Sequence, residues 1–77
     1  MITKREKAIV LQYIREGRNT ISKMATAHFG DHKGDSWQRE KDVNYFRRIV
    51  YHMRNIGQLR QIGRARDKRI VVWEAIE

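Results

Sequence analysis

The chain has 77 residues, 40% of them hydrophobic and 34% charged, with no cysteine and no proline. That length suits one domain with one small core and is too short for a deep catalytic cleft. The missing cysteines exclude a disulfide framework, a thiolate nucleophile and a cysteine-ligated zinc finger. Seventeen Lys and Arg against nine Asp and Glu give a net charge of +8. Nine cations and two acids fall between Lys41 and Arg69, whereas the first 40 residues carry eight cations and five acids. The charge is concentrated in one part of the chain, and a small domain with that asymmetry is expected to bind a polyanion. No apolar run has the length of a membrane span. The start of the chain turns charged at once and has no apolar run of a secretory signal, so a cytoplasmic location and no membrane partner are expected.

The first helix is predicted over about residues 4–16. Thr3 and Glu6 have the spacing of a capping box, Ile9, Val10, Tyr13 and Ile14 recur at helical intervals, and Gly17 ends the pattern. After Arg18 and Asn19, Thr20 caps a second, short helix of about residues 21–29 over Ile21, Met24 and Ala25. Asp31 to Ser36 read as a polar loop.

The third helix is the longest, predicted over about residues 40–56 and ended by Gly57, with Ser36 and Asp42 as alternative caps. Val43, Phe46, Val50 and Met53 form its buried stripe, flanked by Ile49 and Ile56. The opposite face carries Asn44, Arg48, Tyr51 and Asn55, with Lys41 one turn earlier and Arg47 and Tyr45 at its borders. Beyond Gly57 the period changes. Leu59–Arg64 and Arg69–Trp73 read as two strands of a β-hairpin over about residues 59–73. Its tip, Ala65-Arg66-Asp67-Lys68, is strongly basic. Tyr13 and Trp73 are expected in the core, where a small domain gains most from aromatic burial. Ala75 and Ile76 are expected to fold back on the body.

This order of helix, short helix, loop, long helix and basic hairpin resembles a winged helix-turn-helix domain, an α+β fold of three helices followed by a two-stranded β-hairpin wing. The resemblance spans nearly the whole chain as one domain. It is carried by Ile21-Ser22-Lys23-Met24-Ala25 at the supporting helix, Ile56-Gly57-Gln58-Leu59 where the recognition helix passes into the first wing strand, and the hairpin ending in Trp73. The stretch from Asp31 to Arg39 departs from it, being longer than the usual tight turn. The resemblance implies a third helix in the DNA major groove and a hairpin on the backbone or in the minor groove.

Arg48 can offer paired donors to guanine or one donor to a phosphate, and Asn44 matches the adenine edge. Lys41, Arg47 and Arg54 suit phosphates, which position the helix without reading sequence. Tyr45 and Tyr51 offer a hydroxyl to a phosphate and a ring to a sugar. Arg64, Arg66, Lys68 and Arg69 place charge on a thin element that suits a narrow groove. Arg39, with Trp37 and Gln38, lies just before the predicted helix and is expected to reach the same phosphates. Trp37 either covers the core under the loop or stacks outside it.

His28 and His32, four residues apart and near Asp31 and Asp35, are the closest approach to a metal set, but Gly30 breaks the helical register between them. No cofactor, metal or catalytic role is expected. The expected function is a small sequence-specific DNA-binding regulator of transcription, of a kind at home among phage and mobile-element proteins. Duplex DNA is the expected partner, bound as a homodimer or cooperative array because one such domain covers a modest interface. The alternatives are RNA or non-specific DNA binding, an architectural or recombination accessory role, and a protein module that docks on an acidic partner.

Overall fold

A computed structural model describes residues 2–32, 34–64 and 71–76, with Arg64 described by its backbone alone. Five elements follow in chain order: helices α1 (Lys4–Arg15), α2 (Ile21–Phe29) and α3 (Ser36–Asn55), then strands β1 (Leu59–Arg64) and β2 (Val71–Ala75). The architecture is therefore α+β, with three helices followed by an antiparallel hairpin.

The helix starts rest on short polar side chains. The Thr3 hydroxyl accepts from the Glu6 backbone N–H at 3.1 Å, and the Glu6 carboxylate accepts from the Thr3 N–H at 3.1 Å, which completes the predicted capping box. Both bonds act on Glu6. The backbone bond from Thr3, with the hydroxyls of Thr3 and Tyr45 and the charge of Arg48, outweighs the cost of desolvation and holds its carboxyl below the ordinary value. Thr20 caps α2 by accepting from the Lys23 N–H at 3.1 Å.

Two of the helices stop in the same way. Gly17 and Gly57 have φ of 87° and 82°, which a residue with a Cβ adopts only under strain. Beyond them the N–H of Arg18 reaches Tyr13 O and that of Gln58 reaches Met53 O, both at 2.8 Å, which satisfies carbonyls left open by the last turn.

The start of α3 differs from expectation. Neither Ser36 nor Asp42 is its cap; Asp35 is, accepting from the Gln38 N–H at 3.1 Å. The helix gains a turn at its front relative to a start near residue 40, and the connector from α2 shrinks accordingly. The apolar pattern could not announce this turn, because Trp37 faces outward and the buried stripe begins only at Asp42.

The core comprises Val10 of α1, Met24 and Ala25 of α2, Phe46, Ile49, Val50 and Met53 of α3, Leu59 of β1 and Trp73 of β2. Each large apolar side chain among them contributes roughly 1.5–3 kcal/mol by leaving water. Trp73 is 1% exposed, as expected of a core aromatic, and Tyr13 is half-buried against the same cluster, its ring 6.0 Å from that of Phe46. Val43 is also half-buried, while Ile56, expected beside the stripe, is exposed at the helix end.

In the hairpin Leu59 pairs with Ala75 and Gln61 with Trp73; the register shifts between Gln61 and Gly63, leaving Ile62 as the extra, exposed residue. β2 runs on to Ala75 rather than stopping at Trp73. Its other side is tied to the helices by the Trp73 N–H, which donates to Asn19 O at 2.9 Å. Gly57 and these bonds fix where the hairpin leaves the body relative to α3. Among the described residues no helix is long and apolar enough to cross a membrane.

Candidate nucleic-acid interface

α3 is the scaffold of the site. With Phe46, Ile49, Val50 and Met53 turned to the core, the helical period places Trp37, Lys41, Asn44, Arg48 and Asn55 on the outer side, all of them exposed. Arg47 and Arg54 are exposed at its border. Among the described residues none of Lys41, Arg47, Arg48 and Arg54 has a carboxylate within ion-pair distance. Glu6 at the start of α1 feels the charge of Arg48 without bonding to it, and Glu40 is an exposed acid on α3 itself. By contrast, Arg18 and Arg60 are paired, with Glu16 at 2.6 Å and with Glu74 at 2.9 Å.

The outer side chains lie along the helix. Arg47 Nη1 donates to Asn44 Oδ1 at 2.8 Å, the Arg54 guanidinium lies 4.8 Å from the centre of the Tyr51 ring, and the Lys41 ammonium lies 3.6 Å from that of Trp37. These exposed contacts are weak and exchangeable, so they order the cations without consuming them. The Arg47 bond occupies the Asn44 oxygen.

Three expected contact residues are turned toward the body. Arg39 belongs to α3 itself rather than to a segment before it; its Nη2 donates to Ser22 O at 3.1 Å and to Ser22 Oγ at 2.6 Å, so the guanidinium braces α3 against α2. Tyr45 is half-buried between the helices, its ring 11° from parallel with that of His28 and its hydroxyl bonded to Glu6; burial first, and then that bond, push its pKa up. Tyr51 is half-buried and meets Trp73 edge to face at 5.4 Å. Its ring serves the packing of α3 on β2.

The hairpin residues divide differently. Arg64 ends β1, and Arg66, Lys68 and Arg69 lie outside the described residues.

One polar cluster went unnoticed in the sequence. Asp42, 2% exposed, is held by Gln38 Nε2 at 2.9 Å and His32 Nδ1 at 2.6 Å. Desolvation raises the pKa of its carboxyl, but the bonds from His32 and Gln38 and the charges of His32 and Arg39 outweigh it, and the net direction is down. The ionised carboxylate only accepts, so His32 Nδ1 is the donor. The pair pins the α2–α3 connector to α3. The available signal was position: Asp42 stands one turn ahead of Phe46, on the line of the buried stripe.

His28 is engaged elsewhere, with its Nδ1 3.1 Å from the Tyr13 hydroxyl, so the two histidines have separate partners. Among the described residues no group of three or more His, Cys, Asp or Glu is placed to hold a metal ion. No family model matches this chain, and neither a curated protein nor a solved structure matches it.

Proposed function

We propose that this protein binds duplex DNA, with the outer face of α3 in the major groove and the basic hairpin on the flanking backbone or minor groove. The observation that carries the reading is the set of four exposed cations on α3, Lys41, Arg47, Arg48 and Arg54, none of which has a carboxylate within ion-pair distance among the described residues. A bare helix with a polar, cationic outer side matches the width and the acceptor-rich edges of a major groove. Arg48 and Asn44 are the base readers; Lys41, Arg47 and Arg54 hold phosphates. The regulatory role is that of a small repressor or activator that acts by occupying its site, and the protein needs no metal or cofactor for it.

Selection of bound duplexes from a random pool at moderate salt tests this reading. A consensus that survives competition by excess random duplex supports sequence-specific recognition, and a palindrome in it gives the symmetry of the assembly. Retention without any consensus replaces the regulator with a backbone binder. No retention of any duplex at low ionic strength refutes the reading.

A further inference from the structure

The most exposed large hydrophobic side chain on α3 has no part in the core. Trp37 is 64% exposed on the first turn, whereas the other tryptophan, Trp73, is 1% exposed. Trp37 neither covers the core nor closes the connector from α2. One turn later, Lys41 sets its ammonium 3.6 Å from the centre of the indole ring. Both side chains lie on the outer side of the helix that carries Asn44 and Arg48.

We propose that Trp37 and Lys41 form a preassembled contact for the sugar–phosphate backbone of duplex DNA, at the front end of α3. The inference rests on the DNA-binding reading above and extends it to a residue that the reading leaves unused.

Distance along the helix supports the assignment. At about 1.5 Å per residue, Trp37 lies ~10 Å from Asn44 and ~16 Å from Arg48 along the axis. A major groove is about 12 Å wide. When Asn44 and Arg48 meet base edges, Trp37 is therefore carried out to the strand that borders the groove. There the indole can pack on deoxyribose while Lys41 meets the adjoining phosphate.

Preassembly supports it as well. A free lysine loses side-chain freedom on meeting a phosphate, and one already held over an aromatic ring has lost part of it beforehand. The pair also works against local charge, since the Asp35 cap and Glu40 are the exposed acids nearest to it in sequence, the adjoining Asp42 being buried. Lys41 offsets them where a phosphate must approach.

The test is acrylamide quenching of tryptophan emission as the full chain is titrated with random-sequence duplexes of about two helical turns at low ionic strength. Trp73 is buried, so the accessible emission belongs to Trp37, and the Trp37→Phe variant reads the Trp73 share directly. The expected result is that saturating duplex shields Trp37 from acrylamide. Trp37→Ala should weaken duplex binding roughly three- to tenfold at unchanged melting temperature, as for loss of one aromatic contact. Lys41→Gln should reduce the slope of log K against log salt by about 0.9, one phosphate. Retention of duplex in a gel with Trp37 as accessible as before overturns the inference and leaves the DNA reading standing. Shielding by single-stranded oligonucleotide alone also overturns it. Failure to retain any duplex removes the DNA reading and this inference with it.

Discussion

The two sides of α3 hold charge in opposite ways. On the inner side Asp42 is a single buried carboxylate with every strong partner supplied, His32 and Gln38 by hydrogen bonds and Arg39 through its charge. On the outer side four cations stand exposed with no acid bonded to them among the described residues. A buried charge left unpartnered would be driven to neutrality or out of the fold, so the inner side had to be completed internally. An exposed cation is stable in water, so the outer side can be left incomplete for a partner. Stability and binding should therefore be separable by substitution on one helix.

The strongest break of that separation is a large-to-small change on the inner side. Phe46→Ala should cost about 3–5 kcal/mol, a large part of the ~5–15 kcal/mol that holds a domain folded. Urea or thermal denaturation should show a severe loss, and duplex binding should fail with the fold. Leu59→Ala on β1 belongs to the same class.

Asp42→Asn probes the inner polar cluster with less loss than Phe46→Ala. The folded carboxyl titrates below its ordinary value of ~3.9. Its ionised form is thus the stabilised one: the contribution is present above the ordinary value and fades as pH falls through the lowered one. The gap in stability between the natural protein and Asp42→Asn should be widest above pH ~4 and narrow on further acidification. A gap that widens toward acid would show that the carboxyl is not held ionised.

Arg48→Ala sharpens the comparison from outside. It should lower affinity for a selected site by about 1–3 kcal/mol and flatten preference among sites. Stability should stay within ~0.5 kcal/mol, since the side chain is exposed. Equal losses on all sequences would show that Arg48 touches phosphate rather than base.

The smallest effect lies at the start of α1 rather than on α3. Thr3→Ala removes the α1 cap and should cost about 1 kcal/mol, shifting the melting temperature by roughly 4–8 °C. DNA affinity should not change.

Much of this was legible because the signals are local. Thr3, Thr20, Gly17 and Gly57 act on their own few residues, and the β-branched and aromatic run ending in Trp73 announces the second strand. Three features depended on tertiary partners and were read differently. The front of α3 has no apolar stripe, because Trp37 points outward and Asp42 occupies the first inward position. Tyr45 and Arg39 look like surface contacts by type, but the closeness of α1 and α2 gives them Glu6 and Ser22 as partners. The second strand continues past Trp73 because Ala75 finds Leu59 opposite it, a pairing no local pattern encodes.

The most direct measurement is duplex affinity across a salt series for the natural protein and for Arg47→Glu combined with Arg48→Glu, with melting temperature recorded for both. The account predicts that log K falls steeply and linearly with log salt, and that the charge-reversed protein stays folded yet no longer retains duplex at low ionic strength. Equal retention by the two folded proteins would place DNA contact somewhere other than α3, and no retention by either would remove it altogether.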